Sequence, residues 1–146
     1  MHWTVEFHPE FAGEFAELGE VVQDRLLAKI ELLREFGPRL VNPGGNGPMV
    51  PTRGRDAEFP PWYLRRNELG RPHADTLNGS RYNNMKELRL SADGGAWRVA
   101  FAFDPKRQAI LLVAGDKSGS SESRFYRSLI DRADERFTEH LAHLEE

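Results

Sequence analysis

Three short strand-like stretches between positions 85 and 114 constrain the fold of this chain most. They span residues 85–90, 96–103 and 109–114, and the connecting sequences Ala-Asp-Gly-Gly and Asp-Pro-Lys-Arg are rich in turn-forming residues. Connections of this length and chemistry join neighbouring antiparallel strands. The pattern therefore predicts an antiparallel three-stranded meander.

Helical periodicity flanks the meander on both sides. Residues 3–7 alternate apolar and polar side chains as a half-buried strand does, and Pro9 suits the first turn of a helix. A second helix is predicted up to residue 36, with the apolar stripe Val22, Leu26, Leu27, Ile30 and Leu33. A last helix is predicted over 121–144, with the stripe Phe125, Leu129, Ala133, Phe137 and Leu141. The order predicts an α+β fold, with an N-terminal strand and helical hairpin packed on a small antiparallel sheet and a C-terminal helix.

A stretch rich in proline and glycine separates the hairpin from the sheet. Residues 38–72 hold seven of the nine prolines, and 42–48 read Asn-Pro-Gly-Gly-Asn-Gly-Pro. Such composition disfavours regular structure, and loops of this length are uncommon in compact domains. We expect a single domain over 1–146 with an inserted loop at about 38–67, ordered near 60–64 and mobile near 44–47.

Composition excludes several classes of protein. The chain has no cysteine, which rules out a disulfide scaffold, a cysteine-based zinc site and a thiol nucleophile. No run approaches the ~18 apolar residues of a membrane span, and the first residues lack the features of a signal peptide. The expectation is a soluble cytoplasmic domain with no membrane contact.

The net charge of −3 conceals an uneven distribution. Residues 1–36 carry 3 basic and 8 acidic side chains, residues 37–119 carry 13 and 8, and residues 120–146 carry 4 and 7. The regional balances are −5, +5 and −3. A basic middle region, which includes the predicted sheet, is compatible with a local site for a polyanion.

The strand over 96–103 has two unlike faces. One face is bulky and apolar and should pack under the helical hairpin: Trp97, Val99, Phe101 and Phe103. The other face has small side chains around one cation: Ala96, Arg98, Ala100 and Ala102. We predict that this second face is an open, shallow floor that a polyanion backbone can approach.

Further basic residues fall near the same strand. Lys86 and Arg89 lie on the preceding strand, Arg81 lies just upstream of it, and Lys117 follows the last strand. Cations on a rigid sheet can hold a phosphodiester and stabilise the added charge of its transition state. The alternative is that these side chains are simply solvated.

The segment 115–121 resembles a phosphate-binding loop but lacks the Walker pattern, because Asp116 precedes Lys117. It remains a candidate backbone anion site. His140 and His143 are interpreted as solvated residues rather than metal ligands. His73 is a candidate acid or base near neutral pH, and Tyr126 could carry its hydroxyl to the basic end of the sheet.

Several blocks occur in the order and spacing of a known family. They are GRPH at 70–73, LNG at 77–79, MKELR at 85–89, WRVAF at 97–101, GDK at 115–117 and RFY at 124–126. In these blocks the chain resembles the HigB-like, phage-derived branch of the RelE/ParE toxin superfamily. The resemblance covers residues 1–37 and 68–142, and it implies the same α+β fold with the proline-rich stretch as an insertion.

The resemblance implies the toxin of a type II toxin–antitoxin pair that cleaves mRNA on the ribosome, without metal or other cofactor, by attack of a 2′-hydroxyl on the adjacent phosphate. It assigns phosphate orientation and charge stabilisation to Arg98 and Lys86, and positioning or pairing with Glu87 to Arg89. Tyr126 or His73 would transfer a proton or stack on a base. Arg81 and Lys117, the basic residues beside the predicted strands, are candidates to bind RNA.

The implied partners are a HigA-like helix-turn-helix antitoxin, mRNA and the ribosome, with operator DNA bound only through the antitoxin. Two alternatives remain open. One is a ParE-like toxin that inhibits DNA gyrase by binding, and the other is an inactive regulatory relative.

Overall fold

The structure, a computed structural model, describes residues 3–40, 74–119 and 121–145. Of the predicted insertion, only its first residues are included, in a short 3-10 helix at Gly37–Leu40. Residues 41–67, with the segments 44–47 and 60–64, lie outside the described residues, and so does His73.

The described strands form one mixed sheet of five. They are β1 (Thr4–Phe7), β2 (Ala74–Thr76), β3 (Met85–Ala92), β4 (Gly95–Phe103) and β5 (Gln108–Asp116). Their order is β1-β5-β4-β3-β2. The predicted meander is confirmed as β3, β4 and β5. The sheet is not wholly antiparallel, however, because β1 pairs parallel with β5, and the short strand β2 was not predicted.

In the part of the chain that the structure describes, three α-helices cover the sheet: α1 (Pro9–Ala16), α2 (Glu20–Phe36) and α3 (Glu122–Leu144). His8 caps α1 through its ring, which accepts the Glu10 backbone N–H, and Pro9 occupies the first turn as predicted. Ser121 caps α3 by accepting the Arg124 backbone N–H. The α+β class and the C-terminal helix are therefore confirmed.

The helical hairpin of α1 and α2 packs on one face of the sheet. Its core contains Phe11, Leu26 and Leu33 against Val99 and Phe101, as the apolar row of β4 predicted. The prediction that Leu27 belongs to the buried stripe of α2 was wrong, because this residue is 47% exposed.

Helix α3 packs on the opposite face of the sheet. Leu129 and Phe137 share a second core with Ala100 and Ala102, and Arg98 is buried at 6% exposure. The predicted open floor on β4 is therefore wrong. The small side chains of that face allow a helix to approach closely instead of leaving a surface for a nucleic-acid backbone.

Within the part of the chain that the structure describes, no helix combines the length and the apolar character needed to cross a membrane.

Candidate functional site

A polar pocket lies where the first turn of α3 meets β2 and β3. Its ionisable lining is mixed in sign and includes a phenol: Asp75, Glu87, Arg89, Lys117, Glu122 and Tyr126. The residues come from four separate parts of the chain. This arrangement therefore depends on the tertiary fold rather than on one motif.

Strand register brings the charged residues together. Asp75 lies opposite Glu87 across β2 and β3, and Arg89 lies opposite Arg98 across β3 and β4. Glu87 and Arg89 are two residues apart, so both point to the α3 face. The Lys117 backbone N–H donates to the Ala96 carbonyl at 2.8 Å, which fixes the residue beside β4.

Tyr126 links α3 to the ionic residues of the sheet. Its hydroxyl donates to Glu87 Oε1 at 2.9 Å and accepts from Arg98 Nε at 3.3 Å. Burial raises the pKa of the Tyr126 phenol, and the Glu87 carboxylate raises it further. The phenol is therefore protonated at neutral pH. The prediction that its hydroxyl reaches the basic end of the sheet is confirmed.

The charges of the site fall into an inner and an outer set. Buried Glu87 is the inner anion, at 3.1 Å from Arg89 Nη2 and 3.8 Å from Arg98 Nε. The outer carboxylates are exposed: Asp75 lies 3.5 Å from Arg89 and is 51% exposed, and Glu122 lies 3.1 Å from Lys117 and is 73% exposed. An incoming anion can displace the outer carboxylates because water solvates them readily.

A close approach of α3 to β5 sets the position of Tyr126. A Cβ added at Gly115 would lie 2.9 Å from Phe125 Cε1, so only glycine lets the Phe125 ring pack there. Phe125 immediately precedes Tyr126 at the start of α3. The absence of a side chain at Gly115 thus sets where the Tyr126 hydroxyl lies.

Gly115→Ala should move the first turn of α3 and reduce any activity that depends on Tyr126. Overpacking of this kind costs about 1–3 kcal/mol of unfolding free energy, measurable by urea denaturation. Gly13→Ala is the control, since an added Cβ there meets nothing within 4 Å and Gly13 lies inside α1. Equal stability of the two variants would contradict the close approach.

Not all predicted site residues reach the pocket. Lys86 pairs with Phe101, so it lies on the hairpin face, and its Nζ contacts Thr76 Oγ1 at 3.5 Å. Arg98 lies beneath the pocket under α3 rather than on its surface. Arg89, Lys117 and Tyr126 line the opening together. The predicted pairing of Arg89 with Glu87 is confirmed.

Arg81 lies on the loop that precedes β3, away from the pocket. Its backbone N–H donates to Asp134 Oδ2 at 3.0 Å, and Ser80 also bonds to Asp134. Asp134 lies eight residues beyond Tyr126 on α3, or about 12 Å along the helix axis. The exposed Arg81 side chain therefore lies outside the pocket lining, and its binding of RNA stays a prediction.

The candidate anion loop at 115–121 has an internal partner for its backbone. Asp116 Oδ1 accepts the Ser118 backbone N–H at 2.9 Å and the Ala96 N–H at 3.2 Å. Burial alone would raise the pKa of Asp116, but these bonds together with that from the Ser118 hydroxyl lower it. The Asp116 carboxylate thus occupies donors that the loop would need for an external anion.

A group with metal-ligand chemistry occurs at the other end of α3. His8, Glu10 and Glu139 lie close together, with His8 Nε2 at 3.0 Å from Glu139 Oε1. His8 Nδ1 accepts the Glu10 backbone N–H, so the neutral ring carries its proton on Nε2. A metal ion bound to Nε2 would move the ring proton to Nδ1, which could then no longer accept the Glu10 N–H that caps α1. The geometry of His8 and Glu139 therefore fits a hydrogen bond better than a metal site.

His140 departs from its predicted state as a solvated residue. Its Nε2 lies 2.7 Å from Asp104 Oδ2, and the Asp104 side chain is fully buried. Asp104 also accepts the backbone N–H groups of Lys106 and Gln108 in the turn between β4 and β5. His140 thus ties α3 to this turn.

Sequence reasoning named Glu87 only as the pairing partner of Arg89, and it missed Asp75 and Glu122 as members of the site. The signal for Glu87 was present, because i and i+2 on a strand share a face and Arg89 was already a candidate. Asp75 gave no such signal, since β2 is only three residues long.

Fold and site together define an α+β domain with an ionic pocket between a mixed sheet and the first turn of its C-terminal helix. The family described as "Phage derived protein Gp49-like (DUF891)" matches residues 63–138, just over half of the chain. The chain belongs to this family. The match begins at residue 63, inside the predicted insertion.

Two curated relatives come from Mycobacterium tuberculosis. The chain is 52% identical over 79 residues to the toxin candidate HigB2, covering 53% of this chain and 39% of that protein. It is 51% identical over 74 residues to the toxin candidate HigB3, covering 51% of this chain and 62% of that protein. The chain thus spans less than two thirds of either relative. The predicted resemblance to phage-derived HigB-like proteins is confirmed.

A solved structure, a mutant of the E. coli toxin RelE in the free state, aligns with 90% of this chain and 96% of its own. The TM-score is 0.49 and the identity 14%.

Proposed function

We propose that this protein is the toxin of a type II toxin–antitoxin pair and acts as a metal-independent endoribonuclease on ribosome-bound mRNA. The observation that carries the proposal is the pocket in which Tyr126, Arg89 and Lys117 meet at one opening. The toxin names of the two relatives support it. The proposed partner that neutralises the protein is a HigA-like helix-turn-helix antitoxin, which would also be its link to operator DNA.

The pocket suits a phosphodiester because its cations carry replaceable counter-ions. A phosphate that displaced Asp75 and Glu122 would meet Arg89 and Lys117, and charge-assisted bonds to phosphate are among the stronger hydrogen bonds. Exposed outer ion pairs contribute about 0–1 kcal/mol each, so their exchange costs little. The buried Glu87 would stay in place and hold Arg89 in position.

The negative net charge of the chain is consistent with an RNA substrate that is presented by another particle. The whole chain carries −3, which weakens long-range attraction of free RNA. Messenger RNA already held on a ribosome would need no such attraction. We therefore propose ribosome dependence as part of the function, with cleavage stopping translation and growth in the cytoplasm.

Primer extension on cellular mRNA after induction tests the proposal. Wild-type protein should produce new 5′ ends within coding regions, and Tyr126→Phe should reduce their rate of appearance by about 10²-fold, because proton transfer by a placed side chain contributes at least that much. The phenylalanine keeps the ring and removes only the hydroxyl, so the pair is closely matched.

The alternative target, DNA gyrase, predicts a different result. Growth arrest without new mRNA ends, together with altered supercoiling of a reporter plasmid, would reject the nuclease and favour gyrase inhibition. An inactive relative would give neither arrest nor cuts.

A further inference from the structure

The pocket contains one carboxylate that is almost completely buried, that of Glu87. Glu87 is 3% exposed and contacts groups on three elements. Its Oε2 accepts from Arg89 Nε and Nη2 at 3.3 and 3.1 Å, and its Oε1 accepts the Tyr126 hydroxyl. Arg98 Nε lies 3.8 Å from the same Oε1. Two guanidinium groups therefore lie beside this buried carboxylate and compensate its charge.

The hydrogen bonds around Tyr126 have a defined direction. A phenol oxygen carries one proton and accepts further bonds through its lone pairs. The proton is directed at Glu87, and Arg98 donates to one lone pair. A second lone pair remains for a donor that enters from the pocket, which Tyr126 lines.

We infer that Glu87 is the terminal acceptor of the proton that leaves the attacking 2′-hydroxyl of RNA, and that it receives this proton through Tyr126. This inference rests on the proposed ribonuclease function. In this relay Glu87 acts through Tyr126, and Tyr126 is the residue that contacts the substrate.

The step balances without any further reactant except water. The 2′-oxygen forms its bond to phosphorus as the bond between phosphorus and the 5′-oxygen breaks. The 2′-proton moves to the Tyr126 oxygen while the Tyr126 proton moves to Glu87 Oε1. The 5′-oxygen leaves with the bonding electron pair and takes a proton from water, giving a 2′,3′-cyclic phosphate and a 5′-hydroxyl. The hydroxide formed from water is neutralised when Glu87 returns its proton to solvent through Tyr126.

The surroundings favour this route over proton acceptance by Tyr126 alone. Burial and Glu87 raise the pKa of the phenol, so a free phenolate is not present at neutral pH. A phenol that passes its own proton on as it receives another never bears a full charge. Arg98, which donates to the phenol oxygen, stabilises the partial negative charge that develops there.

The other charged groups near the relay are already engaged elsewhere. Asp75 faces Glu87 across the strand pair but contacts Arg89, and Glu122 contacts Lys117. Lys117 Nζ lies 5.8 Å from the centre of the Tyr126 ring, where it attracts the ring and favours partial negative charge on it. Among the described residues, the shortest carboxylate contact of the Tyr126 hydroxyl is therefore Glu87.

A double-mutant cycle on purified full-length protein tests the inference. Single-turnover cleavage of mRNA on programmed ribosomes is measured for wild type, Glu87→Gln, Tyr126→Phe and the double variant. Each single change should slow cleavage by about 10²-fold, and the double variant should be no slower than either. The Kd for the programmed ribosome should change little. The glutamine oxygen can still accept the Tyr126 hydroxyl, but the amide nitrogen can no longer accept from Arg89 Nε and Nη2. The Kd therefore reports any displacement of Arg89, and the single-turnover rate at saturating ribosome concentration reports proton acceptance.

Rates in mixtures of light and heavy water give a second readout that a structural role would not alter. The cleavage rate of wild type should depend on the deuterium fraction along a curve, because two protons move in one step. The cleavage rate of Tyr126→Phe should depend on it linearly. This comparison decides the inference even if Glu87→Gln fails to fold. Glu17→Gln, an exposed carboxylate beyond α1, is the control for charge change.

Multiplicative losses of about 10⁴-fold in the double variant, or a linear dependence in wild type, would overturn the relay while cleavage itself stands. Absence of cleavage by wild-type protein would instead reject the proposed function, and the relay with it.

Discussion

Arg98→Ala should lower the free energy of unfolding by about 3–5 kcal/mol, because it removes one of the two cations beside the buried Glu87, breaks buried hydrogen bonds and leaves a cavity beneath α3. Arg98 is buried beneath α3, donates to Tyr126 and to the Trp97 carbonyl, and lies 3.8 Å from the buried Glu87. Growth arrest should then disappear through loss of folded protein. Urea denaturation of the purified variant measures the change.

The control is Arg81→Ala, which removes an exposed arginine from the loop before β3. Surface substitutions away from buried contacts usually change stability by no more than about 0.5 kcal/mol. If Arg98→Ala kept full stability and lost only toxicity, Arg98 would have to contact the substrate directly. The sequence alone predicts that second outcome, because it places Arg98 on an open face.

The sequence and the structure differ on Arg98 because small side chains on a strand are compatible with two environments. Ala100 and Ala102 beside Arg98 fit a shallow binding surface and a closely packed helix equally well on a strand. The pattern of α3, with Leu129 and Phe137 on one stripe, establishes that the helix has an apolar face, but not which side of the sheet receives it. That choice depends on long-range contacts that no local pattern contains.

Periodicity predicted much of the rest. Alternation gave the three strands of the meander and the hairpin face of β4, and turn chemistry gave their antiparallel pairing. The separation of Lys86 from Arg89 was also predictable, since residues three apart on a strand lie on opposite faces. The parallel pairing of β1 with β5 was not, because it joins segments about a hundred residues apart.

In the candidate site, too, some features were predictable from the sequence and others depend on the tertiary fold. Tyr126 was predictable from its place next to the core residue Phe125. Its two partners come from β3 and β4, and only the register between these strands brings Glu87 and Arg98 to one hydroxyl. The basic residues and the pairing of Arg89 with Glu87 were predicted from the sequence, whereas Asp75 and Glu122, the exposed carboxylates beside Arg89 and Lys117, became apparent only in three dimensions.

Arg136→Met should also have a large effect, at about 3–5 kcal/mol of unfolding free energy, because it removes both a charge-assisted pair and the partner of a buried carbonyl. Arg136 Nη1 donates to the Leu112 carbonyl at 2.8 Å and to Glu14 Oε1 at 2.9 Å, and Nη2 donates to Glu14 Oε2 at 2.6 Å. One side chain thus joins α3, β5 and α1. Urea denaturation at neutral pH measures the loss.

Two comparisons separate the contributions to this loss. Glu14→Gln should cost less, because the Leu112 carbonyl keeps its partner and the Glu14 side chain is partly exposed. The bond from Arg136 holds the pKa of Glu14 below its ordinary value of 4.5. The folded-state pKa is depressed, so the stabilisation is present above that value and is lost as the pH falls through the folded-state pKa. Wild-type stability should therefore decline more steeply in acid than that of Arg136→Met, and parallel declines would show that the ion pair does not link the helices in solution.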